Sequence, residues 1–279
     1  MKKLYPMGII FLVFLVGTGF ILYPSVGNLI TLNTASVTIA NYEKVVDELE
    51  PGLEETLEKA RLFNEHLYYG TNGEDEDKCL NLRDGVICYL DMPVIDVYLP
   101  VYYGISDEVL KKGCGYVPNT SLPVGGANTN SAISGHTGLP GAELLSALDR
   151  MKEKDVFYIH VLGEILAYEV DQVKVVGPEA SADLEIVPGE DHVTLVTCTP
   201  YGINSHRLLV RGSRIPYVPE KTDSGRGTAP VKSGLSAAML RQLLVIGAIV
   251  LALAAALAAA VLYRRKILKQ ITHNNERRE

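Results

Sequence analysis

The sequence predicts a mainly β domain, a barrel or sandwich of short strands, carried between two membrane-spanning helices. Two observations lead there. From Gly85 onward six runs, "VICYL", "DVYLPVYYG", "NSAISGH", "DVFYIHVLGEILAYEVDQVKVVG", "HVTLVTC" and "HRLLVRGSRI", are rich in β-branched residues and bounded by Gly, Pro, Asn or Asp, the pattern of strands joined by turns. The 279-residue chain is 47% hydrophobic, and its apolar excess is not spread evenly, much of it lying in two stretches near its ends, which points to one modest globular domain with apolar segments attached.

The first stretch, "MGIIFLVFLVGTGFILY" from Met7 to Tyr23, follows Lys2 and Lys3. With Leu4 to Pro6 it is about long enough to cross a bilayer. It is longer than a usual signal-peptide core, and no small-x-small cleavage site follows at once, Ala35 being a weak late candidate, so an uncleaved anchor is expected. The segment Asn41–Tyr69 is rich in helix formers, with Leu53, Leu57, Ala60 and Leu67 near helical spacing. Pro51 and Gly52 divide it into two helices with solvated charged faces. "GTNGEDEDKCLNLRDG" then reads as an acidic loop. Within the strand-rich part, "AELLSALDRM" is expected to form one short helix, and "PYVPEKTDSGRGTAPVKSG" a linker.

The second apolar stretch spans about Leu243 to Tyr263 and stops against Arg264, Arg265, Lys266 and Lys269. Basic clusters flank both spans on their outer ends, which places both termini in the cytoplasm and the domain between them outside. A hydrophobic tail before positive charge also resembles the sorting signal of proteins attached to a Gram-positive cell wall. That signal needs a Leu-Pro-X-Thr-Gly stretch, and "TAPVKSGLSAAML" has none, while "LPVGG" at Leu122 to Gly126 has glycine in place of threonine. The net charge is −7 and the basic residues cluster at the membrane flanks, which argues against nucleic acid as a partner. No P-loop, dinucleotide fingerprint, metal-ligand spacing or internal repeat is present, so neither cofactor nor metal is expected.

One stretch carries chemistry, "TLVTCTPYGINSHRLLVRG" from Thr194 to Gly212. Strand alternation leaves Cys198 at the end of one strand and Arg207 at the start of the next, at one end of the fold if the two strands pair. "NSAISGHTGLPG" supplies His136 beside glycines that permit a tight turn. Together these three residue types suit acyl transfer. A nearby cation raises the reactive thiolate fraction of a cysteine, a guanidinium suits the oxyanion formed on attack, and a histidine gives the departing amine its proton. Taken singly, each residue has an ordinary role: core packing for a cysteine, a local hydrogen bond for a turn histidine, a surface ion pair for an arginine. Arg211 shares the parity of Arg207, and His206, His160 and His192 are alternative acids, so spacing alone does not choose among them.

The stretch "TLVTCTPYGINSHRLLVRG" closely resembles the catalytic signature of sortases, membrane-anchored cysteine transpeptidases of Gram-positive bacteria. "SLPVGGANTNSAISGHTGLPGAELLSALDRMKEKDVFYIHV" resembles the segment of that family that carries its histidine. The resemblance runs from about Gly85 to Pro216. It implies a closed eight-stranded sortase β-barrel with short helices, an N-terminal helical segment and two transmembrane helices. It further implies Cys198 as nucleophile, His136 as acid and base, and Arg207 as stabiliser of oxyanion or substrate. The expected division is 1–34 cytoplasmic tip and anchor, 35–84 extracellular helices and a lid-like loop, 85–217 catalytic barrel, 218–238 linker, 239–263 second membrane helix, and 264–279 basic cytoplasmic tail.

The wording of the cysteine stretch and the second span look most like class C, the pilin-polymerising sortases. That implies cleavage of a Leu-Pro-X-Thr-Gly-type signal between Thr and Gly and transfer to a lysine of another pilin subunit. Two alternatives stand beside it: a wall-anchoring sortase that uses a peptidoglycan-precursor amine, and a silent pilin-binding scaffold. The class usually carries an Asp-Pro-aromatic lid motif before the barrel, and "GTNGEDEDKCLNLRDGVICYL" has none. Cys79 and Cys88 flank this region, and two readings stay open: a disulfide that staples a loop in place of the lid, or a buried Cys88 with Cys79 an idle thiol. Cys114 is unpaired in either case.

Overall fold

The structure, a computed structural model, describes residues 5–49, 52–71, 79–80, 85–179, 182–219 and 237–276. Eight strands, β1 (Val86–Met92), β2 (Val97–Tyr103), β3 (Cys114–Tyr116), β4 (Thr129–Ser134), β5 (Val156–Val161), β6 (Glu164–Val176), β7 (Asp191–Thr199) and β8 (His206–Ile215), close into a barrel. Around the barrel their order is β1-β2-β3-β4-β7-β8-β6-β5. β4 runs parallel to β7, and β8 lies antiparallel between β7 and β6. Alternation sorts the side chains by face: Val193, Leu195, Leu208 and Val210 belong to the main core, whereas Val196, Leu209 and Val176 form a separate outer cluster.

Among the described residues two helices precede the barrel, α1 (Tyr5–Glu48) and α2 (Leu53–Tyr69), the second starting directly after Gly52 of the expected break. Ile39, Tyr42 and Val46 of α1 pack on Val86 and Tyr89 of β1. The Tyr42 hydroxyl ties this helix to two strand ends, donating to Ile87 O at 3.1 Å and accepting from Leu162 N–H at 2.9 Å. From α2, Asn64 pairs its whole amide with the backbone of Leu122, donating to its oxygen at 3.0 Å and accepting its N–H at 2.7 Å.

Three local expectations are corrected. The run from Asp155 to Gly177 is a hairpin, because Leu162 and Gly163 both take positive φ, 48° and 79°, as a tight two-residue hairpin turn requires. "AELLSALDRM" holds only a single 3₁₀ turn at Leu148–Arg150, since Leu144 sits at φ 40°, outside right-handed helix. "CGY" at Cys114–Tyr116 adds a short strand, and Asp107–Leu110 a one-turn helix, α3, capped by Ser106.

The C-terminal helix α4 covers Ala237–Glu276. Among the described residues one segment, Leu243–Arg264, is long and apolar enough to cross a membrane, with mean hydropathy 2.8. The other expected span, Met7–Tyr23, is helical as part of α1, but among the described residues it does not meet that criterion. By internal contacts the chain divides into Val26–Ser233 and a second unit made of Met1–Ser25 with Gly234–Glu279.

Candidate active site

β7 and β8 are joined by the loop that holds "PYGINS", and their register makes Cys198 and Arg207 direct partners. Adjacent strands stand about 4.8 Å apart, so the two backbones are as close as neighbouring chains come. Cys198 shares parity with Val196 and Arg207 with Leu209, both of the outer cluster. Thiol and guanidinium therefore emerge on the outer face, at the end where β7 stops.

On the other side of β7 runs β4. Their last ladder pair is Ser134 with Val196. The register is then carried one residue further by two bonds: Gly135 N–H donates to Val196 O at 3.0 Å, and the Thr197 hydroxyl donates to Gly135 O at 2.7 Å. His136 is the next residue of the chain, directly after this extension of β4. Gly135 has no room for a side chain, since a Cβ there would stand 2.7 Å from Leu145. The cysteine thus occupies the middle strand, with the histidine on one flank and the arginine on the other.

All three side chains are half-buried, neither sealed in the core nor fully solvated. The Arg207 guanidinium is steadied by backbone oxygens, Nη1 donating to Asn204 O at 3.3 Å and His206 O at 3.2 Å. That leaves other donors of its fork for a ligand. Tyr201 and Ile203 of the same loop are exposed, 70% and 71%, and the Tyr201 ring lies against Gly138 of the histidine loop.

The competing residues are occupied elsewhere. Arg211 is held in a bidentate pair with Asp171, Nε to Oδ1 at 3.1 Å and Nη2 to Oδ2 at 2.7 Å, with the Ser213 hydroxyl on the same carboxylate. Burial works to raise the Asp171 carboxyl, but the guanidinium outweighs it and holds the group below the usual range. His192 sits six residues before Cys198 on β7, about 20 Å away along the strand; burial and then the Arg211 charge lower its pKa. His160 is buried on β5, stacked on Tyr89 at 4.3 Å, and burial pushes it down to about 4. His206 is exposed beside Ser205 and has the opposite parity to Arg207.

The remaining cysteines are buried. Burial pushes the Cys88 thiol well up, the nearby Cys114 adding to it, and Cys114 itself to about 12. Cys79 and Cys88 are not joined in a disulfide. Most of the lid-like region, including Glu74–Asp77, lies outside the described residues. Neither the Asp171–Arg211 pair nor the Thr197–Gly135 tie has a local sequence signal, because the partners lie 40 and 62 residues apart.

The family model for the sortase domain matches residues 90–215. A sortase C of Clostridium perfringens, solved with its C-terminal cell wall sorting motif, is 43% identical, and the alignment covers 66% of this chain and 100% of that one with a TM-score of 0.62. The chain belongs to the sortase family.

Further solved structures that this chain resembles are sortases of class C as well. The sortase C of Streptococcus pneumoniae is 45% identical, covering 66% of this chain and 99% of that one at a TM-score of 0.60. Sortase C1 of GBS Pilus Island 1 is 38% identical, covering 69% and 97% at 0.64. Two curated relatives are more distant. Sortase A of Streptococcus agalactiae serotype III is 29% identical over 117 residues, 41% of this chain and 47% of that protein, and sortase A of Bacillus anthracis is 28% identical over 132 residues, 47% and 60%. The chain spans about half the length of these curated relatives. Sortases are cysteine transpeptidases, and this chain carries their domain as a closed barrel.

Proposed function

We propose that this sortase is a pilin-polymerising transpeptidase with Cys198 as nucleophile, His136 as acid and base, and Arg207 as stabiliser of the oxyanion. The observation that carries the reading is the direct pairing of Cys198 with Arg207 on the outer face, flanked by the strand extension that bears His136.

The chemistry runs through a thioester. The Cys198 sulfur attacks the threonine carbonyl of a Leu-Pro-X-Thr-Gly-type signal while the thiol proton passes to His136. Negative charge gathers on the carbonyl oxygen, where a fixed guanidinium donor is worth most. The C–N bond to glycine breaks, and His136 returns the proton to the departing amine. A lysine amine of another pilin subunit then attacks the thioester, loses its proton to His136, and leaves an isopeptide bond with the thiol restored. Support for pilins as substrates comes from the class C relatives, one of them described for pilin substrate specificity and another from a pilus island.

The enzyme sits in the cell membrane as a two-pass protein with its barrel outside and both termini in the cytoplasm, an orientation supported by the basic residues flanking both apolar stretches. The test offers the full chain, in detergent, a sorting-signal peptide with both a lysine-bearing pilin and a peptidoglycan-precursor amine. Mass spectrometry of the products is expected to find the peptide on the pilin lysine. Transfer only to the precursor would make it a wall-anchoring enzyme, and transfer to neither would end the transpeptidase reading.

A further inference from the structure

The chain leaves the barrel at His136 and runs to Leu145 with no regular element. Its inner side is tied back on itself: Leu145 N–H donates to His136 O at 3.2 Å, and Gly138 N–H to the Ser146 hydroxyl at 3.0 Å. Its outer side is met by α1, from more than a hundred residues away in sequence. Gly27 lies directly on Gly141, whose φ is +81°. A Cβ at Gly27 would stand 2.9 Å from Gly141 Cα and 3.0 Å from its oxygen. The next residue, Asn28, is buried and accepts the Glu143 N–H at Oδ1, 3.0 Å. The Thr31 hydroxyl divides its bond between Gly27 O at 3.1 Å and Gly141 O at 3.4 Å.

Asn28 carries a cost that packing alone does not explain. Its Nδ2 is buried with no hydrogen-bond partner, an arrangement that disfavours asparagine relative to an apolar side chain of similar size. What offsets this is the oxygen, which fixes the one loop amide it meets.

We propose that α1 is the outer clamp of the histidine loop and that Asn28 is a positioning residue for His136. The inference rests on the reading of His136 as acid and base. β7 grips the loop before the histidine through Gly135, and α1 grips it after the histidine through Gly141 and Glu143, so the imidazole is set between two fixed points. The helix that leads toward the membrane is thereby part of the catalytic scaffold.

The test uses the full chain in detergent with Asn28→Ala, Asn28→Asp and Gly27→Ala. Two quantities are read for each, the kcat and KM of thioester formation and the hydrogen exchange of amides 137–145. Misplacing a reacting group by about 1 Å can cost about 100-fold, so Asn28→Ala is expected to lower kcat by about 10- to 100-fold with KM nearly unchanged, and to speed loop exchange. Gly27→Ala is expected to do the same although alanine is the better helix former, which separates loss of contact from loss of helix. Asn28→Asp keeps an acceptor oxygen and is expected to restore most of the rate. Unchanged loop exchange in Asn28→Ala and Gly27→Ala overturns the clamp. Faster exchange with unchanged kcat overturns the positioning role. If the wild type itself forms no thioester, the reading of His136 fails, while exchange still decides whether α1 holds the loop.

Discussion

Cys198 and Arg207 are paired residues of one antiparallel ladder, on strands β7 and β8, so the relative placement of their backbones is set by the ladder itself. Arg211 lies four residues further along the same strand, opposite Thr194, and spends its fork on Asp171. The two arginines are therefore expected to separate on mutation. Arg207→Ala is predicted to lower kcat/KM by about 10²–10³-fold, the usual loss for an oxyanion donor. Arg211→Ala is predicted to leave turnover within about threefold and to cost about 1 kcal/mol of stability through the lost partner of Asp171. Steady-state kinetics beside denaturant unfolding checks both, and equal kinetic losses would contradict the assignment.

The thiols should separate as clearly. Cys79, Cys88 and Cys114 are 2% exposed or less, whereas Cys198 is half-buried at a strand end, and buried thiols in apolar surroundings are inert. Iodoacetamide is predicted to add once to the native chain, at Cys198, and to reach the other three only after unfolding. Peptide mapping of the native adduct reads this directly; labelling of Cys88 or Cys114 in folded protein would contradict the packing.

His160 is expected to make the fold acid-sensitive. Tyr89 of β1 stacks on it, and Glu43 and Asp47 of α1 with Glu164 of the hairpin line the same pocket. Burial lowers its pKa to about 4, against about 6.5 for an unfolded histidine. Between these values the unfolded chain binds the extra proton, so this stabilisation is complete above about pH 6.5 and is lost as pH falls toward 4. At pH 5 the loss is about 2 kcal/mol. His160→Phe keeps a ring against Tyr89 and is predicted to shrink the fall in stability between pH 7.5 and 5 by about that amount. Parallel pH profiles for the two proteins would contradict this. His192, lowered by burial and Arg211, supplies a smaller dependence of the same sign in both.

Tyr42 is 5% exposed, and its hydroxyl is bonded to both Ile87 O and Leu162 N–H. Tyr42→Phe leaves both backbone groups without that partner and is predicted to cost about 1–3 kcal/mol. Chemical denaturation measures it, and a cost near zero would show that water replaces the hydroxyl.

The strands of the barrel were legible where β-branched runs were five or more residues long and ended at turn residues, as in "HVTLVTC". "CGY" was too short to carry a pattern, and its pairing is imposed by neighbours β2 and β4. In "AELLSALDRM" the buried Leu144, Leu145 and Leu148 imitate helical spacing, but the backbone there serves the histidine loop through Leu145 N–H and Glu143 N–H. Parity left Arg207 and Arg211 equivalent and only the resemblance chose between them; the carboxylate of Asp171 on β6, which occupies Arg211, was not legible in either. Contacts such as Asn28 with Glu143 join residues 115 apart, a relation no local window contains.

Thioester formation on Cys198 is the most direct measurement of the proposed chemistry. Full-length wild type and Cys198→Ala are mixed with a Leu-Pro-X-Thr-Gly-type peptide, and the intact mass of each is taken. The wild type is expected to gain the mass of the peptide's acyl part, ending at threonine, and Cys198→Ala to gain nothing. An unmodified wild type whose Cys198 still reacts with an alkylating reagent, or an adduct that persists in Cys198→Ala, would contradict a cysteine transpeptidase acting at this site.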